Sequence, residues 1–169
     1  MEIWDAYYED ETLAGVDLIR DEDIPKGLYH GVAEIFVIHE DGSVLLMQRD
    51  WNKKGYPGFW ESGAGGSILK GESFLEGAKR ELLEETGYIS EDWQYLGATV
   101  ESSAKLTNYM HIYFANHCRK VSGQHLDATE ELDVLLVPLG QAVEMVMDNE
   151  ICCNSSAHGI LRVARMLGV

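Results

Sequence analysis

Gly66-Ser67-Ile68-Leu69-Lys70-Gly71-Glu72-Ser73-Phe74-Leu75-Glu76-Gly77-Ala78-Lys79-Arg80-Glu81-Leu82-Leu83-Glu84-Glu85-Thr86-Gly87-Tyr88 is the segment that decides the fold. Its second half predicts a helix over 73–86. Ser73 with Glu76 three residues later is a capping-box pattern, and Gly87 is a C-terminal stop. Phe74, Ala78 and Leu82 recur every four residues and make an inward face. Glu81 lies three residues from Glu84 and four from Glu85, which puts their Cβ atoms ~5–6 Å apart on neighbouring parts of one face. Like charges at that spacing weaken a helix, and acids in the last turn oppose its macrodipole. Two local penalties in one turn imply a compensating function. A divalent cation supplies it, since Mg²⁺ takes oxygen ligands and binds through a few carboxylates plus substrate phosphates. The plain alternative is a solvated acidic face offset by Lys79 and Arg80.

Working outward, Gly31–His39 is rich in Val and Ile and predicts a buried strand. Asp41-Gly42 is a hairpin turn, with Ser43–Arg49 as the returning strand. Residues 50–60 predict a loop. Gly63-Ala64-Gly65-Gly66 is a flexible segment where a ligand can approach the main chain closely. Upstream, Trp4–Arg20 predicts a short hairpin with its turn near Ala14-Gly15. Downstream, strands are expected at Gln94–Glu101, Tyr109–Cys118 and Val134–Pro138, and helices at Gly140–Asp148 and Ser155–Leu167. This order is not a regular βαβ alternation, so the class is α/β or α+β with a mixed sheet and packed helices.

The chain has 169 residues with a hydrophobic fraction of 46% and 25% charged residues, a globular composition. Asp and Glu number 29 against 13 Lys and Arg, a net charge of −16. Such acidity argues against nucleic-acid polymers and anionic membranes, which are gripped by Lys and Arg. A small anionic substrate remains open if a divalent cation mediates the contact. Residues 1–23 hold nine acids and one base, Arg20, and a solvated surface that aids solubility is expected there. Three cysteines, two of them adjacent, make a poor disulfide framework, and Cys152-Cys153 has no visible catalytic partner. No signal peptide or apolar run of membrane length is visible, so a cytoplasmic protein is expected.

Gly66, Glu72 and the run Arg80-Glu81-Leu82-Leu83-Glu84-Glu85-Thr86-Gly87-Tyr88 together match the signature of the Nudix hydrolases at every fixed position. A chance match in a chain of this length is on the order of 10⁻⁶ or less. The last position, usually aliphatic, is Tyr88 here, a departure that touches packing. The resemblance implies a Nudix-type α/β/α sandwich with a loop–helix–loop catalytic motif. It also implies a Nudix domain over 29–169, with residues 1–28 as an N-terminal segment packed on it. It implies Mg²⁺ or Mn²⁺ held by Glu81, Glu84, Glu85 and the Gly65 carbonyl, with Arg80 and Glu72 paired to orient the carboxylates. Many members add an acid from a later loop, and Glu130 or Glu131 is the candidate. The general base is Glu81 through a metal-bound water, or alternatively Glu130 or Glu131. Homodimers are common in the family.

Trp4-Asp5, Gly15, Arg20, Gly27, Tyr29-His30, Leu45–Arg49, Lys54 and Pro57–Glu61 also resemble the subgroup related to isopentenyl-diphosphate isomerase. That likeness covers residues 1–90. The isomerases place a catalytic Cys where Gly65 stands here and a metal-binding His where Ser67 stands. Without the thiol, no acid is there to protonate an alkene. The expected activity is therefore metal-dependent hydrolysis of a diphosphate linkage in a nucleoside diphosphate, alone or linked to another moiety. The alternatives are the isomerase and a non-catalytic nucleotide sensor. On the substrate side, Arg49, Lys53 and Lys54 are candidate phosphate contacts. Trp60, with Tyr56 and Phe59, is a candidate for stacking on a base, against core packing for Phe59 and Trp60. His30 reads as a structural histidine.

Overall fold

The computed structural model describes residues 1–52, 55–100, 109–126 and 132–169. Along the chain these form β1 (Ile3–Tyr7), β2 (Leu13–Ile19), β3 (Tyr29–His30), β4 (Val32–His39), β5 (Ser43–Arg49), β6 (Trp60–Ser62), β7 (Ala64–Ser67), α1 (Phe74–Thr86), β8 (Tyr88–Ile89), β9 (Asp92–Thr99), β10 (Met110–Lys120), β11 (Leu132–Pro138), α2 (Leu139–Met147) and α3 (Asn154–Leu167). The larger sheet runs β11-β5-β4-β10-β8, with β6 on β5, β7 on β4 and β9 on β10. β4 and β10 are parallel, and β4 is antiparallel to β7, so the sheet is mixed.

Both faces of its centre are covered. On β4, Phe36 and Ile38 join a core with α2 and α3, while Ile35 and Val37 join a core with Ala78 and Leu82 of α1. β5 divides in the same way, Val44 and Leu46 against Leu45 and Met47. A strand buried on both sides reads as a continuous apolar run, which is how residues 31–39 read in the sequence. The result is an α/β/α sandwich. α3 sits so close to the sheet that a Cβ on Gly159 would fall inside the Phe36 ring.

α1 begins and ends where its caps require. The Ser73 hydroxyl accepts from the Glu76 N–H at 3.3 Å, and the Ser73 N–H donates to the Glu76 carboxylate at 2.8 Å. Gly87 adopts φ +76° and donates to the Leu83 carbonyl at 2.9 Å. Tyr88, at the position where the signature usually has an aliphatic residue, is buried in the core under α1.

A smaller sheet, β2-β1-β3, packs Trp4, Ala6 and Leu18 against Leu28 and Leu69. Its hairpin turn lies at residues 8–12, not at Ala14-Gly15. Tyr8 N–H bonds the Thr12 carbonyl at 2.9 Å, and the Asp10 carboxylate accepts from Thr12 N–H at 3.1 Å. Gly15, with φ +70°, lies inside β2. The acids of this sheet are more than a solvated surface. Asp5 accepts from Gly71 N–H at 2.7 Å, Asp17 pairs with Lys70 at 2.6 Å, and Lys70 N–H reaches the Ile3 carbonyl at 2.8 Å. The sheet is thereby fastened to the loop entering α1. Among the described residues no helix is long and apolar enough to cross a membrane.

Candidate functional site

β7 lies beside β4 and under α1, and its glycines let the helix carboxylates come down onto the strand. A Cβ on Gly66 would collide with the Glu81 carboxylate. Gly65 N–H donates to the Glu85 carboxylate at 2.9 Å. Glu81, Glu84 and Glu85 share one cavity of about 380 Å³ with Gly65, Gly66 and Arg80.

Arg80 organises this face. Its Nε donates to Glu72 Oε1 at 2.8 Å, and Nη2 donates to Glu72 Oε2 at 3.0 Å and to the Ser67 carbonyl at 2.9 Å. Nη1 donates to Glu81 Oε1 at 2.8 Å and Glu84 Oε2 at 3.1 Å. All five guanidinium N–H groups are thus matched. Glu72 also accepts from Leu69 N–H at 2.9 Å. Burial works to raise the Glu72 pKa, but the Arg80 and Leu69 bonds outweigh it and hold the carboxyl below its ordinary range. Burial dominates at Glu81, whose side chain is only 14% exposed, and pushes its carboxyl up despite Arg80; nearby Glu84 and Glu2 add to the rise. Glu84, at 47%, faces the open cavity.

The donor set suits a hard divalent cation: three carboxylates of one helix, one of them held over a glycine strand. Burial raises the Glu81 carboxyl even with Arg80 beside it, and a bound cation would favour its ionised form. Among the described residues, however, no three acidic, histidine or cysteine side chains are gathered as in a preformed metal cage. The Arg80 guanidinium spans Glu81 and Glu84 instead.

The opposite wall of the cavity comes from the N-terminal sheet and is not foreseen in the sequence. Glu2, Trp4, Arg20 and Asp21 line it, with Arg20 paired to Glu2 at 2.7 Å. His125 also lines it, tied back by its N–H to the Glu84 carbonyl at 2.7 Å. A lone base among nine acids was the available signal for Arg20.

Arg49 stands apart from this cavity. Its Nη1 forks to both oxygens of Glu61 at 3.2 and 3.3 Å, and it lines a neighbouring cavity instead. Trp60 packs against the core with Phe36 and Leu46 and lines neither cavity. Tyr56 and Phe59 are exposed and pack on each other, ring centres 5.3 Å apart, so Phe59 is not a core residue. His30 stacks on Trp4 at 4.5 Å, half-buried, with burial pulling its pKa down, as a structural histidine does. Lys53, Lys54, Glu130 and Glu131 lie outside the described residues.

A family model described as NUDIX domain matches residues 28–151. Over 89 residues the chain is 39% identical to an uncharacterized Nudix hydrolase of Listeria monocytogenes, covering 53% of each. Over 78 residues it is 35% identical to an isopentenyl-diphosphate Delta-isomerase of Serratia proteamaculans, covering 46% of this chain and 44% of that one. The chain thus spans about half the length of the curated relatives it matches. A solved ADP compounds hydrolase superposes with a TM-score of 0.67 at 22% identity, over 94% of this chain and 82% of that one, a likeness of fold. With the signature helix, its glycine strand and the Arg80–Glu72 pair all in place, and a family model spanning most of the chain, the protein belongs to the Nudix domain family.

Proposed function

We propose that the chain is a metal-dependent hydrolase that cleaves a diphosphate linkage in a nucleoside diphosphate, free or linked to a second group. One observation carries this reading: Glu81, Glu84 and Glu85 of α1 line a single cavity with the glycines of β7. Glu81, Glu84, Glu85 and the Gly65 carbonyl would hold Mg²⁺ or Mn²⁺, which when bound neutralises phosphate charge and activates water for attack on phosphorus. Arg80, fixed by Glu72 and the Ser67 carbonyl, holds Glu81 and Glu84 toward each other before any ligand arrives. Glu81 is the favoured proton acceptor, with Glu130 or Glu131 as the alternative, since its carboxylate lies over the glycines of β7 inside the cavity. Residues of the N-terminal segment supply the far wall of the cavity.

The similarity to an isomerase keeps one other reaction in view. Gly65 occupies the place where a thiol would be needed. Cys118, in the core, is pushed up to about 12 by burial and lies away from the site.

The test is a panel of nucleoside diphosphates, nucleoside triphosphates, nucleotide sugars and isopentenyl diphosphate, each with Mg²⁺ or Mn²⁺. Phosphate or nucleotide release is expected, falling more than about 100-fold in Glu81→Gln and Glu84→Gln. Isomerised isoprenoid without hydrolysis would overturn this reading. Binding without turnover of any compound would make the protein a sensor.

A further inference from the structure

Where the small sheet meets the N-terminal ends of β4 and β10, a cleft of about 30 Å³ is lined mainly by aromatic rings. Tyr7 of β1 and Tyr29 of β3 are direct partners across their strands. Phe74, the first residue of α1, sets its ring 5.6 Å from that of Tyr7. Gly31 lets that ring lie against the backbone, since a Cβ there would come within 2.9 Å of it. Tyr109, just before β10, adds another ring, and Glu9 and Glu11, exposed in the hairpin turn, line the cleft as well. Among the described residues the cleft shares no lining residue with the carboxylate cavity. Trp4 lines that cavity, and His30, stacked on Trp4, lines this one.

The charge of the cleft follows from His111, which is buried and stacks on Phe74 with ring centres 3.8 Å apart. Its Nε2 lies 3.0 Å from the Glu11 carboxylate and its Nδ1 3.0 Å from the Tyr95 hydroxyl. A neutral imidazole meets both contacts, with Nε2–H donating to Glu11 and Nδ1 accepting from Tyr95. Burial favours the same form at His111 and at His30. Among the described residues the lining therefore holds two carboxylates and no Lys or Arg. The nine acids and one base of residues 1–23 add a field that draws cations to this end of the molecule.

Few groups suit this lining. An anion meets two carboxylates. A nucleobase or sugar ring is too large for about 30 Å³, roughly the share of liquid volume that one water takes. A neutral apolar group would strip water from Glu9 and Glu11 with no charge to offset the loss. A divalent metal prefers a shell of oxygens, and most of this lining is ring carbon. An ammonium group is compact, is attracted by aromatic rings, and donates N–H bonds to carboxylates. We propose that this cleft binds the ammonium end of an aliphatic amine, with the alkyl stem leaving toward solvent. Tyr7, Tyr29 and Phe74 surround the head group, and Glu9 and Glu11 accept its hydrogen bonds. The bound amine joins the hairpin of the small sheet to α1 and β10.

The test titrates the full chain with butylammonium chloride, with n-butanol as the neutral group of equal length, and with sodium chloride at matched ionic strength. The ring signals of Tyr7 and Phe74 are followed by NMR. Butylammonium is expected to shift them saturably with a Kd on the order of 1 mM, as a few cation–π and charge-assisted contacts supply. Butanol and sodium chloride should leave them in place. Tyr29→Leu should weaken binding about 3- to 10-fold, while Tyr29→Phe, which keeps the ring, should stay within about twofold of wild type. Glu11→Gln should weaken it about 3- to 10-fold, and as an exposed turn residue it keeps the test open should Tyr29→Leu disturb the small sheet. An equal response to butanol would overturn the proposal, as would a response that sodium chloride reproduces. Undiminished affinity in both Tyr29→Leu and Glu11→Gln would overturn it too. None of these readouts involves turnover, so the outcome is independent of the hydrolase reading.

Discussion

Arg80 commits every donor it has, and Glu72 and Glu81 have few other partners at their depth. Arg80→Ala would leave two largely buried carboxylates without their cation, at a cost of about 3 kcal/mol, readable as a lower midpoint in urea. The pH dependence of the two acids runs in opposite directions. Glu72 has a lowered folded pKa, so its contribution is complete above the ordinary value of 4.5 and is lost as pH falls through the folded value. In Arg80→Ala that acid-side slope should flatten in melts taken across this range. Glu81 is raised above 4.5, so its ionised form destabilises the fold once pH exceeds the folded value. Glu81→Gln, which mimics the neutral form, should therefore melt no lower than wild type at neutral pH while losing hydrolysis. A site residue that weakens its own fold is the pattern expected where function opposes stability.

The helix that carries the site was legible because its signals are local. Ser73, Glu76 and Gly87 fix its ends within the segment itself, and Ser73→Ala should cost about 1 kcal/mol in urea unfolding. β4 and β5 were legible from their Val- and Ile-rich run and the Asp41-Gly42 turn. β3, β6 and β8, two or three residues each, were not, because so short a strand shows no period and exists only by pairing with a neighbour. The hairpin turn was misplaced for a related reason. Gly15 signals a turn by its residue type, yet its positive φ serves an irregularity within β2, while Asp10 builds the true turn through its own side chain. At the site, the Glu72–Arg80 pair could be read from the signature. The wall from Glu2, Arg20 and Asp21 could not, because no spacing rule connects residues 2–21 to residues 65–85.

At the scale of the molecule, the small N-terminal sheet and the large sheet meet around the signature loop. Trp4, buried and stacked on His30, anchors that junction. Trp4→Ala should lower stability by about 3 kcal/mol in urea unfolding. It should also raise KM more than it lowers kcat, because the wall bearing Arg20 loosens while α1 stays built. The acidic surface thus divides: Asp5 and Asp17 fasten the small sheet to the loop entering α1, and Glu2 and Asp21 shape the cavity. The Ser62 N–H donates to the Ser156 hydroxyl at 3.1 Å, a bond that ties β6 to α3 and spans most of the chain. During synthesis the signature helix leaves the ribosome well before residue 156 does, so a nascent chain can assemble its carboxylate face while the adjoining cavity still lacks one side. The carboxylate face is therefore built before the part of the fold that α3 supplies.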